Sequence, residues 1–536
     1  MKNPETSIYA FFLQEMEKHL SEPALWYCGK AIKYYELIRK IDAVAENLFQ
    51  LGVRKGDSVT IHLPNCPQAV IVIYAVAKLG AVCDLVHPLM PCEGLANHMK
   101  ITQSGVLVTS DLPTNRNVCA LTKTVIIAHL AAHMRLPERA AYRIKNPGET
   151  LKGISFEKME ISCSQHAVVP EQESLAEEPV CYMHSSGTTG KAKIVVQSHA
   201  SLNRYVMNTQ EFLHGQDLSK SVTPSVLPFF HAAGLTMVMH QILCNKGLLV
   251  VLPRYTPESL LKVIQKKRVD ILCAVPAVYE GLLKLPGFHS RKIPTLKQCY
   301  VFGDTVSPTL KRAVDLRLDP TGNRHICYES YSFSEVAPGG SSEGPFTDYR
   351  EGSAGRAMPE CRFALLCDGK VQEPPGEGEL LLRTNTMMIG YLCEEDNVGA
   401  YWDYQGEQWT RSGDYGRIDE DGYIYFLDRI KNVIIHKGYN IYPSEVESVI
   451  RKLDFVEDVC AVGTTAEDSN TENVRLCVVL KDALEPSLAK EKIFQAAQKN
   501  LPRYALPQEI VFVREIPRNA MNKIDRKRLL QQQEEL

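Results

Sequence analysis

The chain has 536 residues, too many for one ordinary hydrophobic core, so at least two domains are expected. Hydrophobic residues make up 45% and charged residues 23%, the balance of a soluble globular protein. Its 60 basic and 63 acidic residues leave a net charge of -3, which gives no support to nucleic-acid binding, a role that favours a strongly basic domain.

The N-terminal stretch "MKNPETSIYAFFLQEMEKHL" lacks a cationic region followed by a sustained apolar one, so no signal peptide is expected. The 16 cysteines are scattered singly and no Cys-x-x-Cys pair occurs. A zinc site is therefore not expected, and a reducing, cytoplasmic setting is. The most apolar segment, from Ala69, is interrupted by Lys78 and Asp84. A membrane span needs roughly 20 apolar residues, so this segment reads as a buried helix and strand, and no integral membrane segment is expected.

In chain order, "DSVTIHLP" reads as a strand, "CPQAVIVIYAVAKLG" as a helix ending at Gly80, and "AVCDLVHP" as a strand. The same beat recurs at "GLLVVLP", "TPESLLKVIQKKR" and "VDILCAVP". Such alternation predicts α/β layers with largely parallel sheets. After about Leu427 the texture changes. "GYNIYP" reads as a short strand and "SEVESVIRKL" as a helix opened by Ser444, with Glu447 three residues on in a capping-box pattern. Strands "DVCAVG" and "VRLCVVL", a helix "SLAKEKIFQAAQKNL", a strand "EIVFVREI" and a basic helix from Asp525 complete an α+β unit of about 110 residues. The expected architecture is a large N-terminal domain of layered α/β subdomains, residues 1–428, and a small mobile α+β domain, residues 429–536. The charged segment "FLDRIKNV" joins them as a candidate hinge.

The stretch "HSSGTTGKAK", His184 to Lys193, stands out for its small hydroxyls and bare amides beside two ammonium groups. A Walker A loop would need GxxxxGK[ST] on a strand-to-helix turn. Here Gly187 and Gly190 are too close together, Ala192 follows Lys191, and the sequence beyond, "KIVVQ", is β-like. The loop instead joins strands "PVCYM" and "KIVVQ". Gly187 and Gly190 let successive amides converge on an anion, Ser185, Ser186, Thr188 and Thr189 add hydroxyl donors, and Lys193 supplies charge.

This loop resembles the [ST][ST]GTTGxPKG phosphate loop of the adenylate-forming superfamily, the acyl-CoA synthetases, adenylation domains and firefly luciferases. Ala192 replaces the usual Pro and Ile194 the usual Gly. Further matches follow in order: "LPFFHAAGL", "ESYSFSE", "GELLLRTNTMMIGY", "WTRSGDYGRIDEDGYIYFLDRIKNVIIHKGYNIYPSEVE" and "PRNAMNKIDRKRL", with Asn522 where Gly is common. The resemblance implies a reaction in two halves. A carboxylate attacks the α-phosphate of ATP to give acyl-AMP and pyrophosphate, and a thiol then displaces AMP.

What the resemblance implies for single residues is specific. The loop residues 185–193 would hold the β- and γ-phosphates, Glu335 would hold Mg²⁺, and Ser334 would donate to the AMP phosphate. Tyr331 would lie against the adenine. Asp414 would accept from the ribose hydroxyls, and Arg429 would contact ribose or phosphate. Lys523 would bridge the carboxylate and the α-phosphate in the first half-reaction. Lys431 falls at the hinge about which the small domain turns, and Gly438 at the pantetheine side of a thiol tunnel. His231 would border the acyl pocket with Gly303, Asp304 and Ser330 nearby. Glu329 and Asp304 are available to polar substituents, and Asp304 equally to the adenine.

Amino-acid-activating relatives carry an acid in an FDxS segment where this chain has "FFHAAG", so an α-amino acid is disfavoured and an aliphatic or aryl acid suits the small, apolar pocket segments. The expected activity is acid:CoA ligation with Mg²⁺ and ATP. Delivery to an acyl carrier protein is the alternative and a catalytically silent nucleotide-binding homologue a more remote one. The expected assembly is a monomer or homodimer.

Overall fold

Burial on both faces makes the segment after Cys66 the spine of the first layer. Pro67 opens a helix, Pro67–Lys78, at a position whose missing N–H costs nothing, and every residue to Ala77 is buried. Gly80, at φ 67°, turns the chain out of it into the strand Val82–Leu85. That strand lies parallel to Ser58–His62 and to Pro179–His184 in an eight-stranded sheet. The computed structural model describes residues 2–145, 151–161, 175–185, 193–290, 293–304, 306–436, 439–465, 472–481, 484–518 and 524–531.

Three more sheets complete the large part of the molecule. A four-stranded sheet joins Val222–Pro224 and Leu248–Val251 to Pro23–Tyr27 and Lys30–Lys33. A five-stranded sheet begins with the parallel strands Ile271–Ala274, Gln298–Val301 and Cys327–Tyr331. The layered α/β expectation holds here, with one apolar core running through these sheets and the helices on them.

The stretch from Cys361 to Arg429 departs from that pattern. It forms a six-stranded antiparallel sheet without a crossover α-helix. Its turns explain why: Asp368-Gly369 and Gln405-Gly406 each place two successive residues at positive φ, the tight geometry that sends a strand straight back beside itself. Helical connections are needed only for parallel neighbours.

The C-terminal part has its own core, built by Ile434, Val446, Ile450, Leu476, Ile493 and Phe512 among others. Strands Val456–Thr465, Glu472–Leu480 and Glu509–Phe512 form its sheet, against helices Pro443–Ile450 and Pro486–Asn500. The capping box expected at Ser444 does not form. The helix starts one residue earlier, at Pro443, so Ser444 lies inside its first turn. Its N–H donates to Asp428 Oδ2 at 3.0 Å and its hydroxyl to the Leu427 carbonyl. Glu447 turns away to accept from the Ala461 N–H and from Arg526. A carboxylate distant in sequence thus caps the helix, where charge complementarity with the N-terminal end favours it.

Among the described residues no helix is long and apolar enough to cross a membrane. If Asp428 is the cap, Asp428→Ala lowers the melting temperature more than Ser444→Ala, by the equivalent of about 1 kcal/mol. Differential scanning calorimetry of the two variants checks the order.

Candidate active site

Backbone pairing on both sides fixes the ends of the phosphate-loop candidate. The incoming strand Pro179–His184 and the outgoing strand Ile194–Ser198 run antiparallel, with Met183 opposite Val195 and His184 opposite Ile194. The Ser185 N–H donates to the Lys193 carbonyl at 2.9 Å, and the Lys193 N–H to Ser185 Oγ at 3.3 Å. Ile194, where relatives of this motif carry Gly, is buried and begins the outgoing strand. Ser186, Gly187, Thr188, Thr189, Gly190, Gly438 and Lys523 lie outside the described residues.

The outgoing strand carries a second partner on its other edge. Gly390 and Tyr391 pair with Val196 and Val195, and the Leu392 N–H donates to the Ile194 carbonyl. The Tyr391 hydroxyl donates to Glu335 Oε1 at 2.7 Å, and the Lys193 ammonium sits 4.5 Å from the Tyr391 ring centre. Lys193 also donates to the Asp396 carbonyl at 2.9 Å. Glu335 belongs to a single 3-10 turn, Ser334–Val336, which Gln197 holds by donating to the Ser334 carbonyl at 2.9 Å. The Met388 N–H donates to the Glu335 carbonyl at 2.7 Å. Burial and the neighbouring Glu335 carboxylate push the Tyr391 phenol well above its usual range, so it remains a donor.

Asp414 and Arg429 face each other across two antiparallel strands, and their side chains pair at 2.8 Å between Nε and Oδ1. The Tyr331 hydroxyl donates to Asp414 Oδ2 at 2.7 Å. Tyr331 is buried, packed between Phe363 and Phe426. An ionised carboxylate has about four lone-pair sites, so Asp414 retains acceptor capacity beyond these contacts.

On the other wall, His231 follows a tightly held turn. Asn65 bonds three backbone groups there: it donates to the Ser225 and Leu227 carbonyls at 3.0 and 2.8 Å and accepts from the Phe229 N–H at 2.9 Å. A π-helix, Ala233–His240, starts immediately after, with the Leu235 N–H donating to the His231 carbonyl. Gly234 permits this, since a Cβ there would come within 1.9 Å of the Pro228 carbonyl oxygen. The His231 ring packs against Phe230, which in turn meets His87 edge-on at 5.0 Å. Gly303, at φ 85°, and Asp304 are exposed, while Ser330 shares a 2.7 Å hydrogen bond with Ser342 Oγ.

These groups open on one cleft of about 2950 Å³, whose walls include Ser185, Lys193, His231, Gly303, Asp304, Ser330, Tyr331, Ser334, Glu335, Asp414, Arg429 and Lys431. Residues 12–392 match the family model described as AMP-binding enzyme, and residues 445–523 match its C-terminal domain. The chain belongs to the AMP-binding enzyme family. It is 25% identical to the long-chain-fatty-acid–CoA ligase of Bacillus subtilis over 99% of this chain and 95% of that one. It is 28% identical to long-chain-fatty-acid–CoA ligase FadD13 of Mycobacterium tuberculosis over 92% and 91%. In fold it resembles ATP-bound MatB from Rhodopseudomonas palustris, with a TM-score of 0.81, 21% identity and 98% of both chains covered.

This AMP-binding enzyme carries polar groups in and behind its cleft wall that reading the residue types alone did not single out. Tyr391, Asn65 and Gln197 act through neighbours distant in sequence. Of these only Tyr391 had a signal, its place in "MMIGY". A buried triad sits behind Glu329: Lys311 Nζ lies 2.6 Å from Glu343 Oε2 and 3.3 Å from Glu329 Oε2, and the Glu329 N–H donates to Glu343 Oε2 at 2.8 Å. Burial pushes the Glu329 carboxyl up to about 7, against the pull of Lys311 and with the help of the second carboxylate, Glu343.

The folded state thus holds a proton on Glu329 that the unfolded chain releases at lower pH. Its contribution to stability is fully present below the ordinary Glu range and is lost as pH rises through about 7. Glu329→Gln keeps the Lys311–Glu343 pair and removes the surplus negative charge. The melting temperature of the variant relative to the parent therefore rises between pH 5 and pH 8, which paired thermal melts at both pH values would show.

Proposed function

We propose that the protein is an AMP-forming acid–CoA ligase that activates an aliphatic or aryl carboxylic acid as acyl-AMP and transfers it to CoA. The observation that carries this reading is the meeting, in one cleft, of Lys193, Glu335 and the Asp414–Arg429 pair with the His231 wall. Both reactants of the first half are anions, so a site that supplies fixed cations and holds the two in place removes the main barrier to their approach. The CoA-ligase activity of relatives aligned over nearly the whole chain supports the same conclusion.

In this reading the loop 185–193 holds the phosphates that leave, Ser334 donates to the phosphate that stays, and Asp414 accepts from the ribose beside Arg429. Tyr331 orients Asp414 by its hydroxyl and lies at the adenine side. His231, Gly303, Asp304 and Ser330 border the acid. Lys523, on the small domain, bridges carboxylate and α-phosphate during adenylation. We place the domain boundary at residues 428 and 429, with Lys431 as the hinge and Gly438 beside the pantetheine path.

Glu335 would hold Mg²⁺. The donor set fits, since Glu335 presents a carboxylate at the cleft wall, the oxygen donor that this hard cation takes. One carboxylate with nucleotide phosphates is the arrangement that this small, well-hydrated cation favours. When bound it would neutralise phosphate charge.

The decisive assay is mass spectrometry of products from the purified protein with ATP, Mg²⁺ and a panel of carboxylic acids, with and without CoA. An acyl-CoA that appears only with CoA names the acid and bears out the ligase. Acyl-AMP that accumulates and ignores CoA points instead to loading of a carrier-protein thiol, and no product at all points to a silent nucleotide-binding homologue.

Two variants then test the division of labour. Lys523→Ala lowers acyl-AMP formation by about 100-fold or more, the scale of losing one fixed transition-state contact, and spares thiolysis of supplied acyl-AMP. Equal loss in both half-reactions overturns its role. Lys431→Pro leaves adenylation intact and blocks thioester formation, as stopped-flow measurement of each half-reaction would show.

A further inference from the structure

A phosphate site that holds both a carboxylate and an ammonium faces a problem, since the two groups attract each other. A pre-formed Lys–Glu pair must be broken before either can meet a nucleotide and its cation, at the cost of the desolvated attraction between them. In this molecule Lys193 and Glu335 each meet Tyr391, one at the ring and the other at the hydroxyl. Tyr391 gives its hydroxyl to Glu335 Oε1 at 2.7 Å and its π face to the Lys193 ammonium, 4.5 Å from the ring centre.

The ring is held firmly enough to do this. Its backbone is paired to Val195 in the outgoing strand. The Tyr391 N–H donates to Asn397 Oδ1 at 2.8 Å, and Asn397 Nδ2 donates to the Tyr391 carbonyl at 2.9 Å. The same segment grips the Glu335 turn, through the Met388 N–H on the Glu335 carbonyl and Thr386 Oγ1 on the Val336 carbonyl at 2.6 Å. Lys193 is kept aside by a second bond, to the Asp396 carbonyl. Strand pairing and the Asn397 side chain therefore fix the Tyr391 backbone, and Met388 and Thr386 fix the turn that carries Glu335.

We propose that Tyr391 is a positioning residue that keeps Lys193 from pairing with Glu335 and orients the Glu335 carboxylate for the divalent cation that accompanies the nucleotide. The hydroxyl occupies one oxygen of a carboxylate that lines the cleft. The aromatic face gives the ammonium a weaker, neutral partner from which phosphate can draw it. Tyr391 touches neither phosphate nor acid in this account and acts only through Glu335 and Lys193. The inference rests on the nucleotide-binding reading of the cleft.

The test uses the full chain and reads binding rather than turnover. Titration calorimetry measures ATP affinity with Mg²⁺ and with EDTA, and the ratio of the two is the coupling between cation and nucleotide. AMP, titrated in EDTA, serves as the control. Tyr391→Phe keeps the ring and loses the hydroxyl. The coupling ratio falls about 10-fold, the scale of losing a hydrogen bond to a charged group, while AMP affinity changes less than 2-fold. In steady state the same variant shows a raised apparent KM for Mg²⁺ and a smaller change in kcat. Tyr391→Leu removes the ring too and loses more coupling, and adding Lys193→Met to Tyr391→Leu restores part of it, because the competing ammonium is gone.

Coupling in Tyr391→Phe equal to the parent's, or AMP affinity falling as far as ATP affinity, overturns the proposal. So does failure of Lys193→Met to restore coupling. If the parent itself binds neither nucleotide, it is the reading of the cleft that fails, and the two failures are told apart by that control.

Discussion

Opposite charges left together in a half-buried cleft pair with one another, and a protein that must receive a polyanion has to prevent it. The attraction between a carboxylate and an ammonium grows as water is excluded, so every cation in the site needs a partner it will leave. The arrangement around Tyr391 is one answer: a neutral ring takes the ammonium and a neutral hydroxyl takes the carboxylate. Pairing with Val195 in the strand Ile194–Ser198 sets the register of Tyr391.

A different answer operates at Asp414 and Arg429. Here the ion pair is allowed to form, at 2.8 Å, and is extended by the Tyr331 hydroxyl. A ribose is neutral and its hydroxyls both donate and accept, so a carboxylate already paired with a guanidinium can still serve it. The guanidinium, with five donors in a rigid fork, still has donors to offer once Asp414 is satisfied. The two sites therefore differ in the same sense as the ligand parts they would face, charge separated for phosphate and charge paired for sugar.

The junction between the large and small parts shows how far such contacts reach beyond the cleft. Asp428 lies next to Arg429 in sequence, and its carboxylate caps the helix Pro443–Ile450. Glu447 from that helix meets Arg526, just after the segment that carries Lys523. The strand Ile424–Arg429, the helix Pro443–Ile450 and the C-terminal segment are thus tied by two carboxylates, each almost fully buried. A buried carboxylate that loses its partner is costly, so these ties constrain where the small domain's segments lie relative to one another.

Much of this was legible in the residues themselves. The strand–helix beat located the parallel layers because burial on both faces writes a near-continuous apolar run, as from Pro67 to Leu85, broken only by Gln68, Lys78 and Asp84. The loop between two strands was readable because β-forming residues flank it and no helical pattern follows. The antiparallel sheet after Cys361 was not separated from the α/β layers, although Asp368-Gly369 and Gln405-Gly406 carried the signal for its tight turns. The Ser444–Glu447 spacing suggested a local cap. Tertiary structure overrode it, since Asp428 offers a full charge to the Ser444 amide and Glu447 finds the Arg526 guanidinium instead.

What the sequence by itself determined was the set of chemical groups and the short motifs that bear them: the hydroxyl-rich loop, the segments around Glu335 and Asp414, and the charged joint. Local pattern suffices for these because periodicity and turn residues act over a few positions. Only the tertiary structure decided which groups satisfy one another. Tyr391 and Glu335 are separated by 56 positions and Lys311 and Glu343 by 32, and their pairing follows from strand register and helix packing. A hydrogen bond depends on distance in space, and the chain order does not carry that distance until the core has formed.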